Sequence, residues 1–281
     1  MPFSDKALSQ RLERAEGFAC VQHVDARRRH YPSSGAEWIQ CGGAFAAFDG
    51  VNSPCTQTFG LGIFEELTNS ALNTIEAFFH DRGASVMHEV SPFAGVAAME
   101  LLCKRGYTPV ELSNVLYRPL EPVSEEPQSQ SAANNPAGVT VRIAAPEESQ
   151  LWSQISANGW THDHPELTGY MLELGAVTAA REHTVCFLAE LDGVPGAAGV
   201  LCLHQAVALF GGSSTVPNLR KRGLQSALLE ARMRYASDHG CDLAMMVAWP
   251  GTESQRNAER HGFRIAYTRT KWQLRHESQS K

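Results

Sequence analysis

The chain has 281 residues, of which 43% are hydrophobic and 19% charged, and its formal net charge is −6. That length suits two ordinary domains better than one. The acidic balance excludes the basic excess of a nucleic-acid binder. Seven cysteines (Cys20, Cys41, Cys55, Cys103, Cys186, Cys202 and Cys241) form no CxxC pair and have no histidines at zinc-like spacing. They read as reduced, packed thiols, and no metal is expected. No segment approaches the roughly 18 apolar residues of a membrane span, and the first residues lack the apolar core of a secretory signal. These features predict a cytoplasmic protein without a membrane partner.

Residues 1–120 form the first predicted domain. Within it, "SALNTIEAFFHDRGASVMHEVSPFAGVAAMELLCKRGYTPVE" orders an amphipathic helix, a stop at Gly83, an apolar strand, a turn at Pro92, a helix, the pair Gly106 and Tyr107, and a strand. Residues 121–138, "EPVSEEPQSQSAANNPAG", combine Pro, Ser, Gln, Asn and Gly with almost no bulky apolar side chain. Such a composition cannot offset its ordering entropy by burial and predicts a flexible linker.

The second domain is expected over 139–281. A strand at 139–144 is followed by a helix that opens with Pro146, Glu147 and Glu148, residues suited to a first turn, and by a second helix over 165–181. Three strands, 184–191, 197–204 and 206–215, then alternate with Asp-Gly turn chemistry as an antiparallel meander. Leu224, Ala227, Leu228, Ala231 and Tyr235 recur at spacings of three and four, with Gln225, Glu230, Arg232, Arg234 and Asp238 off that stripe. The spacing predicts an amphipathic helix over 223–239, closed by Gly240. The apolar run "DLAMMVAW" reads as a strand parallel to the one before the helix. A helix over 252–262 and a last strand, "FRIAYTRTKWQL", complete the order.

Arg220, Lys221 and Arg222 stand directly before Gly223 and that amphipathic helix. Cations are unfavourable at a helix N-terminus, which itself carries about half a positive charge. A polyanionic ligand would justify them, because backbone N–H groups, guanidinium forks and a glycine without a side chain all accommodate phosphate. No P-loop is present, and "GLGIF" carries Glu65 where a dinucleotide fingerprint needs glycine or alanine.

The segment "VPNLRKRGLQSALL" resembles the coenzyme A loop of the GCN5-related N-acetyltransferases, [RQ]xxGx[GA]. Arg220 and Gly223 match; Gln225 stands where that family has glycine or alanine. "NAERHGFRIAYTRTKW" is similar to the family's closing element. The resemblance covers about 139–275. It implies an α/β fold with a mixed, mainly antiparallel central sheet flanked by helices, and binding of acetyl-coenzyme A by Ser213, Ser214, Thr215, Arg220, Lys221, Arg222, Gly223, Leu224, Gln225, Ser226 and Asn257. It implies N-acetyl transfer to a primary amine by direct attack, with no metal. The strand before the loop is expected to splay from its neighbour.

Two of the family's proton-moving groups are missing. Ala258 occupies the place of its tyrosine, and "AVALFGGSST" has no carboxylate. Ser254, Tyr267 and His204 are the candidates for the vacant role, and a catalytically silent acyl-coenzyme A binding protein is the alternative reading. Trp160, His162 and Asp163 are expected in the acceptor pocket. The first half repeats the order of the second, with Gly83, Pro92 and the Gly106–Tyr107 pair matching Gly240, Pro250 and the Gly262–Phe263 pair, which predicts two tandem copies of one fold. Glu65 and Glu66 lie where the second copy has its cations, so the first is expected to bind no coenzyme.

Overall fold

The computed structural model describes residues 3–121, 135–162 and 164–275. Most of the expected linker, residues 122–134, lies outside the described residues. The chain divides into two compact units: Met1–Leu116 with Val247–Arg256 and Arg264–Lys281, and Tyr117–Met246 with Asn257–Phe263.

The first unit opens with helix α1 (Lys6–His30), an element the sequence reading did not assign; Asp5 caps it by accepting from the Leu8 N–H. Strands β1 (Glu37–Cys41), β2 (Ala44–Phe48) and β3 (Gln57–Phe59), helix α2 (Asn69–His80), strand β4 (Met87–Val90), helix α3 (Val96–Lys104) and strand β5 (Tyr107–Pro119) follow. Both helices, the intervening strand and the glycines at Gly83 and Gly106 fall where periodicity and glycine stops put them; both glycines have positive φ.

The second unit contains β6 (Val139–Ile143), α4 (Ser149–Trp160), α5 (Thr168–Ala179), β7 (Thr184–Leu191), β8 (Val194–His204), β9 (Val207–Thr215), α6 (Leu224–Asp238) and β10 (Leu243–Ala248). Helix α7 (Glu253–Arg260) and strand β11 (Arg264–Leu274) close the chain. In this unit the sheet order is β10-β9-β8-β7-β6, antiparallel except for the β10–β9 pair. Trp152 of α4 is 1% exposed, packs with Leu188, Ala198 and Val200, and donates its indole N–H to the Phe187 carbonyl at 3.1 Å. Gly159 lets α4 cross β9 closely, since a Cβ there would lie 2.5 Å from Ser214 Cβ.

One boundary differs from the expected 139–281 domain. In the first unit the sheet order is β1-β2-β3-β4-β11-β5, with β11 antiparallel to β4 and Lys271 opposite Glu89. The physical reason is its inward face. Trp272 joins a core of Leu72, Ile75, Phe79 and Val90, and Arg269, 2% exposed, reaches Glu13, Glu16 and Glu89. A buried guanidinium needs several acids about it, and those acids belong to the first half. Each unit is thus a mixed, largely antiparallel sheet with helices, as the α/β reading expected.

Candidate functional site

Strand β9 organises the site. Ala198 of β8 faces Ser214, but Val200 faces Gly211, so β9 holds an extra residue at a bulge around Gly212, whose φ is +54°. On its other side the ladder with β10 covers only Leu243–Val207, Ala244–Ala208 and Met245–Leu209, although β9 runs on to Thr215. Beyond Leu209 that edge of β9 has no ladder with β10. An unpaired strand edge is a place where an extended ligand can add its own hydrogen bonds.

After Thr215 the chain makes one tight turn at Pro217–Leu219 and enters α6 through Lys221 (φ +61°) and Gly223 (φ +87°). No side-chain hydrogen bond caps this helix at Gly223, among the described residues. Lys221 and Arg222 are exposed and in no salt bridge among the described residues. Arg220 behaves differently: its Nε donates to the Thr215 carbonyl at 3.3 Å and its Nη2 to the Gly159 carbonyl at 2.9 Å. It ties the loop to the end of α4 instead of projecting as a free cation.

Gly223 also departs from expectation. The sequence reading gave it to the close approach of an anion, yet a Cβ there would collide with Pro136. Packing and positive φ require the glycine in this structure. Gln225, the departure from the family pattern, donates from Nε2 to Thr215 Oγ1 at 2.8 Å. Leu224 is 1% exposed, which leaves only its backbone available, while Ser226 is half-buried in the first turn. Ser214 Oγ donates to the Ser156 carbonyl at 2.9 Å, and Ser213 Oγ accepts from Arg232 Nη2 at 2.7 Å.

Arg232 is the residue that periodicity missed. Placed off the apolar stripe by sequence, it is 2% exposed, with Nη1 donating to the Val200 and Gly211 carbonyls at 3.1 and 3.3 Å and Nε to Leu228 O at 3.2 Å. Burial pulls its pKa down to about 9, so it stays charged at neutral pH with backbone carbonyls and one hydroxyl as partners. The guanidinium thereby stitches both sides of the bulge together. The only sequence signal for this burial is Gly199, where a Cβ would lie 3.0 Å from the Arg232 Cζ.

A cavity of about 450 Å³ adjoins the loop, lined by Asn158, Thr161, His162, Val216, Pro217 and Asn218. His162 therefore lines a cavity next to the loop. Trp160, 55% exposed, ends α4 beside it, and Asp163 lies outside the described residues.

The three candidates for proton transfer are divided between the two units. His204 pairs with Val207 at the hairpin turn, eight residues along β9 from Thr215 and so about 26 Å away at 3.3 Å per residue. Tyr267 is in the first unit, donating to Glu13 Oε1 at 2.8 Å, and burial lifts its hydroxyl pKa well above the ordinary value. Ser254 is an exposed residue of α7 in the first unit, whereas Asn257, half-buried, is in the second. Ala258, at the place of the family's tyrosine, is fully buried. In the first unit Glu65 and Glu66 are both exposed before α2.

No family model and no curated protein matches this sequence. Solved structures do. A GCN5-related N-acetyltransferase from Kribbella flavida is 18% identical, with 92% of this chain and 96% of that chain covered at a TM-score of 0.60. Another from Sphaerobacter thermophilus is 17% identical over 83% of this chain and 77% of that one, TM-score 0.53. A tandem protein of this kind from the clavulanic acid biosynthesis pathway is 11% identical over 84% and 79%, TM-score 0.54. Coverage of both units, together with the repeated helix–strand order and the loop at α6, gives this chain the fold of the GCN5-related N-acetyltransferases in a tandem arrangement.

Proposed function

We propose that the second unit binds acetyl-coenzyme A and transfers its acetyl group to a primary amine. The observation that carries this reading is the open edge of β9, bulged at Gly212, which leads directly into the uncapped start of α6 with Lys221 and Arg222 exposed beside it. A pantetheine arm matches an unpaired strand edge, and a pyrophosphate matches the helix start. Backbone N–H groups of the loop hold the phosphates, while Arg220 keeps the loop in shape through the Thr215 and Gly159 carbonyls. Arg232 fixes the bulge that the thioester would pass.

In the reaction the amine lone pair attacks the thioester carbonyl, a C–N bond forms and the C–S bond breaks. The amine proton passes to solvent and the sulfur leaves as thiolate, which solvent reprotonates. Positioning alone can supply roughly 7 to 11 kcal/mol of such a barrier, so no dedicated acid or base is required. The amine, from a small molecule or a protein, approaches through the cavity lined by His162 and Asn218. The shared fold of the N-acetyltransferases from Kribbella flavida and Sphaerobacter thermophilus supports acyl transfer.

A catalytically silent acyl-coenzyme A binding protein is the second reading, favoured by the buried Ala258 and by the engagement of Tyr267 with Glu13. Calorimetric titration of acetyl-coenzyme A into the whole chain, followed by a free-thiol assay against a panel of amines, separates the two. Binding with thiol release on an amine supports the transferase, binding without release supports the silent protein, and no binding refutes both.

A further inference from the structure

Three side chains of the first unit, scattered in sequence, converge in its interior, and Cys20 lies close to one of them. His23 and Cys20 stand one helical turn apart on one face of α1, Asp49 follows β2, and Cys55 lies in the loop before β3. Ligand atoms of His23, Asp49 and Cys55 all lie within 4.8 Å of one another. Cys20 is hydrogen-bonded to Cys55, its Sγ 3.5 Å from the Cys55 carbonyl. His23 is 2% exposed, and its Nε2 has no hydrogen-bond partner.

The distance from His23 Nε2 to Asp49 Oδ2 is 3.4 Å. That is long for a hydrogen bond. It matches the edge of a tetrahedron whose ligands sit about 2.0 to 2.1 Å from a central zinc, which is about 3.3 Å. We propose that His23, Asp49 and Cys55 form a site for a divalent zinc-like cation in the first unit.

The surroundings suit that assignment. Asp49 presents Oδ2 to the cluster, while Oδ1 is held by Arg27 Nε at 2.5 Å; Ser53 Oγ donates to Oδ2 at 2.6 Å. Carboxylate ligands are commonly oriented by partners of this type. Sequence spacing hid the set because its members come from a helix, a strand end and a loop.

The test uses the whole chain in reducing buffer, freed of metal by a chelator, with Co²⁺ as probe. The expected result is about one bound ion per chain, with a thiolate-to-cobalt charge-transfer band and the intense visible bands of four-coordinate cobalt. Zinc should displace it and erase those bands. Cys55→Ser and His23→Gln should abolish or shift those bands, while Cys103→Ser, at an exposed cysteine, should not. A folded wild-type chain that gives no thiolate–cobalt band would overturn the proposal, as would bands unchanged in both ligand variants. The wild-type spectrum decides even if a ligand variant does not fold.

Discussion

Reversing both free cations of the loop, Lys221→Glu with Arg222→Glu, is the most direct challenge to the proposed binding mode. Both side chains are exposed, so the dielectric they feel lies between that of water and the effective value near a protein surface. At about 4 Å from a phosphate a unit charge contributes about 1 to 4 kcal/mol across that range, and screening with side-chain entropy favours the lower end. Reversal removes an attraction and adds a repulsion of similar size. Two sites at about 1 to 2 kcal/mol each give 2 to 4 kcal/mol, or about 30- to 1000-fold in Kd. Calorimetry with acetyl-coenzyme A should show that loss, diminishing as salt is raised, with an unchanged melting temperature. Affinity within about twofold of wild type would refute the assignment of the loop to phosphate binding.

Other consequences follow from the buried groups. Arg232→Met leaves the Val200 and Gly211 carbonyls without their donor. It should destabilise the chain by about 2 to 4 kcal/mol in urea unfolding and raise the Kd for coenzyme, and a change below about 0.5 kcal/mol would refute the stitching role. Burial pushes the Glu13 pKa up from 4.5 to about 7, more strongly than Arg269 and Tyr267 oppose it. Because the folded chain then holds this proton more tightly than the unfolded one, the contribution is fully present below pH 4.5 and is lost as pH rises through about 7. The difference is about 3 kcal/mol. Glu13→Gln should therefore gain stability relative to wild type across that window, and parallel pH curves would refute it. Burial holds the His88 pKa down to about 3 beside Tyr107. Its stabilising effect is present above pH 6.5 and is lost as pH falls towards 3. In an NMR titration His88 should stay neutral down to at least pH 5; titration near 6.5 would contradict the burial argument.

Local chemistry made much of this molecule readable. Alternating strands at 184–191 and 206–215, the period of α6 and the glycine stops at Gly83 and Gly240 are short-range patterns, and the structure places them within a few residues. The tandem order was legible for the same reason, since each copy repeats its own punctuation. The uncapped start of α6 was visible as a run of cations facing a helix.

What sequence could not decide is which distant segments share a space. Tyr267 reads like a neighbour of the loop, yet β11 is drawn into the first unit because Arg269 and Trp272 find their acids and their apolar core there. His204 is close to β9 in sequence but lies at the far end of the hairpin. Arg232 looks solvated by helical period, and only the bulge with Gly199 beneath it makes room for a buried guanidinium. The convergence of His23, Asp49 and Cys55 has no periodic signature at all. Sequence by itself determined the elements from α2 onward and their repeat, because propensity, period and caps act over a few residues. Tertiary structure alone decided the partners of the buried charges, because desolvation is settled by whichever groups the whole chain brings alongside.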